Sequence, residues 1–545
     1  MELDLIISNA HIITMDENRP FARTIGVWNG LVVGLDEELA NCTASSHIDA
    51  RGAVITPGFY DVHNHMAAFG QRLQEIDASK FTTLDELYAA IQARAESTDD
   101  EWITGSGYDQ VKLGKHPRRE DLDRAAMGKK VMLIHRTSHM LVANTPVFEE
   151  VGALSPEYPT ASGGEIERDS DGSPTGLVSE QCMTEFRNLR KPVPINHLVR
   201  SLELASERYA SEGLTSVSEA GIGNSSIVGS SPVELAAYQQ GHDDSKILVR
   251  TQLMIAMENF HKVQTGIGDG FSEGLDLGIR TGLGGDMLSI GPVKMFTDGA
   301  ISSRTAALTS NFCGHDHAGI MQFAEPELTS IAAQAHTAGW QIALHAIGDE
   351  AIDVALNVFE NACQPNPRNW RRHRIEHASI VRPDQLERIV KLGLIPSPQG
   401  QFVYELGENV REGLGEHRLD WTYRTRSFID AGLIVPGGSD RPVVSDGAPL
   451  AAIQAMVLRL TDKGREFTPH ERISAYEALK AYTLNSAYAS REEHIKGKLS
   501  RGYYADFVVM GEDLTVVDPV EIAQIPILAT YLGGIPTYSD SSSWS

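Results

Sequence analysis

The sequence predicts an α/β protein: a (β/α)8 barrel with a small β-sandwich domain formed by both termini and a large insertion after the first barrel strand. Two observations lead to this prediction. Eight short apolar runs have amphipathic helical patterns between most of them, and polar side chains end five of the runs. The runs occupy 55–62, 214–217, 249–255, 292–296, 341–344, 373–375, 394–397 and 433–435. Eight parallel strands that alternate with helices form a barrel of this kind.

Length and composition indicate a globular protein of more than one domain. A chain of 545 residues exceeds one core of ordinary size, and 41% hydrophobic with 22% charged residues is typical of soluble proteins. No apolar run approaches the roughly 20 residues that span a bilayer, and the acidic N-terminus lacks the basic flank of a signal peptide. The four cysteines are far apart, without the spacing of a metal site or a disulfide framework. These features predict a cytoplasmic protein.

The charge balance limits the classes of partner. The formal net charge is −26 with histidine neutral. Such a surface repels nucleic-acid phosphates and anionic lipid, and no basic cluster offsets it. We therefore expect neither nucleic acid nor a membrane as partner, and the charge says nothing more about the substrate. The sequence leaves open whether the chain forms a homo-oligomer.

Short strands at both ends of the chain predict the small β-sandwich domain, 1–56 together with 490–545. Apolar residues alternate through 1–56, and Asn29-Gly30 between two such runs is a strong hairpin signal. The segment 505–510, ADFVVM, has the same character near the C-terminus. The barrel is then assigned to 57–489.

The regular alternation of strands and helices is interrupted between residues 73 and 196. This stretch has a helical pattern at 84–95 and an apolar run at 131–134. We interpret 73–196 as an insertion in the loop after barrel strand one. Because that loop belongs to the mouth of the barrel, the insertion is expected to cap the pocket and to limit substrate size.

Two histidines one residue apart end the first apolar run, in PGFYDVHNH at 57–65. Side chains at i and i+2 of a strand point the same way, so His63 and His65 would project together, as two imidazoles that bind one cation do. Taken alone, such a pair is more often two polar residues in an ordinary loop. Its meaning depends on what ends the other runs.

Four further polar residues stand in or after other apolar runs. Lys294 lies in the fourth run, His345 follows the fifth, His377 follows the sixth and Asp440 follows the eighth. In a (β/α)8 barrel the catalytic groups lie at the mouth where the carboxyl ends of the strands meet. The sequence therefore predicts that four imidazoles, one carboxylate and one lysine converge there.

Motifs spread over nearly the whole chain make the sequence similar to the amidohydrolase superfamily, in the branch that includes N-substituted formamide deformylases and related uncharacterised metal-dependent hydrolases. They are DLIISNA at 4–10, PGFYDVHNH at 57–65, GGEI at 163–166, PTG at 174–176, VKMFTDGA at 293–300, HAIGD at 345–349, RIEHA at 374–378, GSD at 438–440, GKL at 497–499 and AD at 505–506.

One loop departs from the family pattern. Many relatives have Gln-Pro followed closely by His after strand seven, where this chain has SPQGQF at 397–402. The absence of this imidazole removes the basis for a typical substrate contact and weakens any transfer of substrate identity from the family.

The resemblance implies a binuclear metal centre. His63 and His65 would bind one ion together with Asp440, His345 and His377 would bind the other, and Lys294, carboxylated by CO2, would bridge the two. An unmodified ammonium would repel the cations and has no lone pair to donate. Imidazole with carboxylate-type oxygen favours zinc, with manganese, iron or cobalt left open. The alternative is an ordinary lysine paired with Asp298 beside a single metal ion.

The resemblance implies a small-molecule substrate and hydrolysis of a C–N bond other than a peptide bond, in an amide, formamide, urea or cyclic amide. Two cations lower the pKa of a bridging water from about 15.7 toward neutrality, and the resulting hydroxide attacks. Asp440 would take up the proton and pass it to the leaving nitrogen. Two alternatives stay open: a mononuclear deaminase of a heterocyclic ring, and a non-catalytic amidohydrolase-like scaffold.

Four residues are predicted as substrate contacts, each with a structural role as the alternative. Tyr108 and His139 belong to family-like stretches of the insertion. Arg304 lies beyond the Lys294 motif, where it would hold a substrate oxygen, and Gln399 lies in the divergent loop after strand seven.

Overall fold

A seven-stranded parallel sheet forms the centre of the larger of two units in this computed structural model. The larger unit comprises Met1–Phe69 with Leu202–Ser545, and the smaller one comprises Gly70–Ser201. The structure describes residues 2–136, 140–160, 164–225, 227–363, 371–540 and 544.

The seven strands follow one another across the sheet in chain order. They are β1 (Phe59–Asn64), β2 (Leu214–Ile222), β3 (Arg250–Ala256), β4 (Leu288–Phe296), β5 (Ile342–Ala346), β6 (Arg374–His377) and β7 (Ile395–Ser397). Each strand pairs in parallel with the next. Every residue of β1, β2, β3, β5 and β6 is buried, as expected where both faces of a parallel sheet are covered. The predicted α/β class is confirmed, with a nearly closed parallel barrel of seven strands.

The eighth predicted strand, 433–435, is an irregular segment that is not part of the sheet. Its continuation forms one parallel bridge, between Gly438 and Gln399 beyond β7. On the other side, the N–H of Val62 in β1 donates to the carbonyl of Gly437 over 3.0 Å. The segment therefore lies between β7 and β1. The prediction of a regular eighth strand is wrong, because consecutive glycines and a left-handed residue shortly after them interrupt the ladder.

The first predicted strand, 55–62, is two strands that belong to different sheets. Val54–Pro57 pairs with Phe507–Met510 near the C-terminus, whereas β1 begins two residues after Pro57. Gly58 separates them, and a Cβ at this position would lie 2.2 Å from the side chain of Thr215. Only glycine allows this close approach. The prediction of one continuous strand is therefore wrong.

Strands from both ends of the chain form two further sheets of the larger unit. One contains Glu2–Ser8, Ile25–Trp28, Leu31–Leu35 and Thr43–Asp49, and the other contains His11–Ile13, Phe21–Ala22, Val54–Pro57, Phe507–Met510, Ile527–Leu532 and Ile535–Ser539. Residues of both sheets, such as Ile25 and Val509, belong to one buried apolar cluster. The hairpin predicted at Asn29-Gly30 is present, with φ of 49° and 77° at the turn.

Helices and one short ribbon connect the strands of the larger unit. The helices are Glu234–Asp243, Glu325–Ala338, Asp349–Cys363, Pro383–Leu392, Phe402–Leu414, Thr425–Asp430, Pro449–Leu458, Ala475–Lys480 and Ser486–Ala489. The ribbon pairs His261–Lys262 with Glu273–Gly274. Helices Met66–Gln74 and Ile195–Ser211 contain the points at which the chain passes from one unit to the other. No described helix is both long enough and apolar enough to cross a membrane.

The smaller unit has a sheet and an apolar core of its own. Its strands are Ile76–Asp77, Trp102–Tyr108, Lys130–His135, Met140–Ala143, Gly164–Arg168 and Pro174–Glu180, and its helices are Leu84–Ser97, Gln110–Leu113, Arg119–Ala126, Thr145–Val151 and Met183–Asn188. The helix predicted at 84–95 is Leu84–Ser97, which begins with a capping box between Thr83 and Glu86. Its buried face, including Leu87 and Ile91, packs into the core of the unit.

Candidate metal centre

Three of the predicted metal ligands meet at the carboxyl end of the barrel strands. His63 lies in β1, His377 ends β6, and Asp440 follows the irregular segment between β7 and β1. One ligand atom from each lies within 4.8 Å of the others, and all three residues are buried. The Nε2 atom of His63 is 3.4 Å from Oδ1 of Asp440. Three separate elements therefore bring their donor atoms to one point.

The other three predicted ligands lie beside this group. His65 places Nε2 3.2 Å from Oδ1 of Asp440, and Lys294 places Nζ 3.3 Å from Nε2 of His63. The ring centroid of His345 is 4.4 Å from that of His377. The structure thus brings all six residues together, and their role as ligands remains a prediction.

Left-handed backbone conformations shape this cluster. His377 has φ of 71°, Ala378 of 42° and Asp440 of 57°. Such conformations cost about 1–3 kcal/mol for residues with a side chain, and they concentrate at functional sites. Neighbouring residues of a regular strand point to opposite faces. The turn at His377 allows both Glu376 and His377 to approach His63.

The Nδ1 atoms of three imidazoles face partners that set the tautomer. Nδ1 of His63 donates to the carboxylate of Glu376, and Nδ1 of His377 lies 2.7 Å from Oε1 of Gln399. Nδ1 of His65 is 3.4 Å from Oε1 of Glu219. A proton held on Nδ1 leaves a lone pair on Nε2 for a cation.

His345 is held in the opposite orientation. Its Nε2 donates to the carbonyl of Gly299 over 3.0 Å and lies 3.4 Å from Oδ1 of Asp298. A proton on Nε2 leaves Nδ1 as the nitrogen with a lone pair. His345 therefore offers a different ring nitrogen from the other three histidines.

Two buried glutamates of the cluster were not predicted from the sequence. Glu376 is bound by Arg374, with 2.6 Å from Nε to Oε1 and 2.9 Å from Nη2 to Oε2. Burial would raise the pKa of Glu376, but Arg374 and His63 hold it well below its usual range. Glu219 accepts a hydrogen bond of 2.6 Å from the hydroxyl of Tyr238. The sequence contains a signal for each. Arg374 lies in the predicted run 373–375 and Glu376 follows it directly, at i and i+2, and Glu219 is the acidic residue in LTSVSEAGI at 214–222.

The electrostatics of the site favour a bound cation. Burial would raise the pKa of Asp440, but hydrogen bonds with His63 and His65 hold it well below its usual range. Burial also opposes protonation of His65, yet Asp440 and Glu219 raise its pKa to about 9. The acidic groups thus attract positive charge to the centre, which a divalent cation would supply.

Lys294 does not form the ion pair with Asp298 that its ordinary role would require. The Asp298 carboxylate accepts backbone N–H groups instead, from Ala307, Ile347 and Gly348, at 2.8–3.0 Å. No described carboxylate lies within ion-pair distance of Lys294, whose exposure is 1%. Burial lowers the pKa of Lys294 to about 8, although Glu376 and Asp440 oppose this. The expected ion pair between Lys294 and Asp298 is therefore absent among the described residues, and the number of metal ions stays a prediction.

The sequence of the chain matches a known family over most of its length. A family model described as "Amidohydrolase family" matches residues 47–538. The chain belongs to the amidohydrolase family. The predicted family is thereby confirmed, and with it the enzyme class, a hydrolase that acts on carbon–nitrogen bonds.

Individual amidohydrolases and related structures resemble the chain along its full length. YtcJ of Bacillus subtilis (strain 168), named as an amidohydrolase, is 27% identical over 97% of this chain and 98% of its own. The N-substituted formamide deformylase of Arthrobacter pascens is 28% identical over 99% of both chains. The crystal structure of an uncharacterised metal-dependent hydrolase from Pyrococcus horikoshii OT3 has a TM-score of 0.77 and 26% identity, covering 95% of this chain and 99% of that one.

The predicted substrate contacts of this amidohydrolase have varied surroundings. Gln399 uses both ends of its amide within the protein, since Oε1 faces His377 and Nε2 donates to the Ser397 carbonyl over 3.0 Å. Arg304 donates from Nη1 to the Ile301 carbonyl and to Oδ1 of Asn409, each at 2.8 Å.

The other two predicted contacts belong to the smaller unit. Tyr108 is fully buried there, and its hydroxyl is 3.1 Å from Nδ1 of His116. His139 lies outside the described residues. Substrate contact by any of these four residues stays a prediction.

Removing the charge of Glu376 should weaken metal binding. In Glu376→Gln, the amide oxygen still accepts from His63, but the carboxylate that orients and polarises the ring is lost. We expect metal affinity to fall about 10- to 100-fold, the usual effect of losing such a partner. Competition with a chromophoric chelator measures this, with Glu387→Gln on the next helix as an exposed control. Unchanged affinity in folded Glu376→Gln would show that the carboxylate does not act through His63.

Proposed function

We propose that this amidohydrolase cleaves a C–N bond of a small amide-type substrate, an amide, formamide, urea or cyclic amide, at a centre of two divalent metal ions. The convergence of His63, His65, Lys294, His345, His377 and Asp440 carries this proposal. The likeness to an N-substituted formamide deformylase over 99% of both chains supports formamides as the first substrates to test.

The donor set fits transition-metal ions. Nε2 of His63 and His65 with the carboxylate of Asp440 would hold one ion, and His345 with His377 would hold the other. Imidazole and carboxylate donors in a buried cluster suit zinc, with manganese, iron or cobalt as the alternatives. When bound, such ions polarise a substrate carbonyl and lower the pKa of water.

Asp440 is proposed as the group that moves the proton. Its Oδ1 contacts both His63 and His65, and no described residue donates a hydrogen bond to its Oδ2. That second oxygen would accept a proton from the attacking water and return it to the leaving nitrogen, which departs as a neutral amine.

Lys294 is proposed to carry a carboxylate. The neutral amine would add to CO2, forming an N–C bond and releasing a proton, so that the product is an anionic carbamate. Burial without a carboxylate partner disfavours a permanent ammonium at this position. A carbamate provides two anionic oxygens where the free amine provides one nitrogen, and it removes the repulsion between an ammonium and the metal ions.

Loss of Lys294 should remove one metal ion and lower activity. Lys294→Ala is expected to bind fewer than two ions per chain and to turn over about 10- to 100-fold more slowly, as for other losses of ligand support. Acetate or propionate should restore part of the activity, because a small acid fills the vacated space with two oxygens. Metal analysis and steady-state rates measure this, with the exposed Lys391→Ala as control. Two ions with normal turnover in Lys294→Ala would make the lysine structural and would favour a mononuclear deaminase.

The segment 73–196 is proposed to cap the barrel mouth and to limit substrate size. It follows β1, and the carboxyl end of β1 carries His63 and His65. A crystal structure in which this segment packs against the opposite end of the barrel would contradict the proposal.

A cytoplasmic location also remains a prediction, which fractionation of the native cells can check.

A substrate panel tests the proposed function directly. Protein loaded with zinc is incubated with N-alkyl formamides, simple amides, ureas, cyclic amides and amino-substituted heterocycles, and the released amine or ammonia is quantified. We expect release from at least one of the first four classes, and none from Asp440→Asn. Ammonia from the heterocycles alone would favour the deaminase. No release from any class by the correctly loaded protein would favour a scaffold.

A further inference from the structure

We propose that the smaller unit contains a second small-molecule site, a cavity that binds a small organic carboxylate with an apolar or aromatic body. The cavity has a volume of about 270 Å³. Its walls are the end of helix Met66–Gln74, helix Leu84–Ser97, the start of strand Trp102–Tyr108, the loop 189–194 and the first turns of helix Ile195–Ser211. All of its lining residues belong to Gly70–Ser201, and none is among the six proposed metal ligands.

Two arginines give the cavity its binding chemistry. Within the part of the chain that the structure describes, the guanidinium of Arg190 has no hydrogen-bond or ion-pair partner. Arg94 uses a single N–H, which donates from Nη2 to the carbonyl of Gln74 over 3.3 Å. Burial lowers the pKa of Arg190, yet a guanidinium stays charged in any protein environment. Arg190 is half-buried, and a guanidinium that is partly withdrawn from water gains from an anion that meets it.

The shape and charge of the walls indicate which anion fits. A guanidinium has a planar fork of donors that matches a carboxylate or a phosphate in a bidentate manner. Asp100 and Glu101 line the same cavity and would repel a doubly charged phosphate more than a singly charged carboxylate. Trp102, Leu189 and Val193 provide apolar surface for the body of the ligand. A monocarboxylate with an aromatic or aliphatic body satisfies both features.

The acidic side chains of the cavity do not form ion pairs with Arg190. His197 lies 3.7 Å from Asp100, and Lys130 lies 2.5 Å from Glu101 and 5.3 Å from the centre of the Trp102 ring. The carboxylates of Glu75 and Asp100 act on the charge of Arg190 only beyond ion-pair distance. The donor groups of the Arg190 guanidinium are therefore left for a ligand.

A brominated probe locates the site and measures its affinity. The metal-loaded protein is titrated with 4-bromobenzoate by calorimetry, and crystals soaked in the same compound are examined for the anomalous signal of bromine. We expect a bromine peak in the cavity with the carboxylate against Arg190. The neutral analogue 4-bromobenzyl alcohol should bind about tenfold more weakly or worse, because it leaves the cation unpaired.

Variants separate this cavity from the metal centre, which could also bind a carboxylate. Arg190→Gln should weaken 4-bromobenzoate about tenfold or more, and Arg94→Gln should weaken it by a smaller factor. The exposed Arg72→Gln on helix Met66–Gln74 should change nothing. Equal affinity in wild type and Arg190→Gln, a bromine peak only at the metal centre, or tighter binding of inorganic phosphate than of 4-bromobenzoate would each overturn the proposal. Because no described residue bonds to the Arg190 guanidinium, Arg190→Gln should melt at the same temperature as the wild type.

Discussion

Exhaustive removal of divalent metal is expected to abolish turnover, and Zn²⁺ or Mn²⁺ should restore it. The centre supplies four imidazoles and a carboxylate, and without a cation none of these groups lowers the pKa of water as a divalent ion does. Water with a pKa of about 15.7 is then a poor nucleophile toward an amide carbon. The loss should therefore be complete within the limit of detection.

The choice of ions makes this experiment specific. After dialysis against a chelator, Zn²⁺, Mn²⁺ and Ca²⁺ are added back separately, and activity is plotted against bound metal per chain. Ca²⁺ should fail, because it prefers six to eight oxygen ligands and this site offers mainly nitrogen. Activity should rise to a plateau at two ions per chain. Full activity in protein shown to be metal-free would rule out the metal mechanism.

Asp440→Asn is expected to keep the fold and to lower kcat by about 100-fold or more, the range for a lost acid–base group. Asparagine is among the residues that tolerate φ of 57° at this position, so the backbone should persist. Its amide can still lie beside His63 and His65, but it cannot accept and return a proton. The exposed Asp462→Asn is the matched control, and stopped-time assays with metal analysis are the measurement.

Metal content separates the two roles of Asp440. If Asp440→Asn retains two ions and loses kcat, the carboxylate moves the proton. If the ions are lost and excess metal restores normal kcat, the carboxylate acts as a ligand alone. Near-normal kcat in fully loaded Asp440→Asn would remove Asp440 from the mechanism.

Local patterns were enough to predict the barrel and the six converging residues. Apolar runs and helical periods can be recognised from residues that are close in sequence. Residues at the carboxyl ends of parallel barrel strands lie together at one mouth of the barrel. His63, His65 and Lys294 could therefore be placed together from the order of residues along the chain. Their chemistry as ligands is a separate prediction that awaits metal analysis.

The features that sequence reasoning missed depend on contacts between distant segments. Glu219 and Glu376 stand close to predicted strands, but their roles become clear only from the contacts of Glu219 with His65 and of Glu376 with His63. The division of the first strand at Gly58 follows from packing against Thr215, more than a hundred residues away. The left-handed turn at His377 could not be predicted from composition or periodicity. A glycine in the sequence often indicates a positive φ, whereas a histidine does not.

The junction at Gly58 also determines when the enzyme can mature. Residues 54–57, directly upstream of the strand that carries His63 and His65, pair with Phe507–Met510, which a ribosome makes several hundred residues later. At roughly 5–20 residues per second, tens of seconds separate the synthesis of the two partners. The histidines thus leave the ribosome long before their strand is anchored by residues 507–510. A polypeptide that stops between residues 440 and 507 would possess every proposed metal ligand and still lack this anchor, so active enzyme should arise only after translation has passed residue 510.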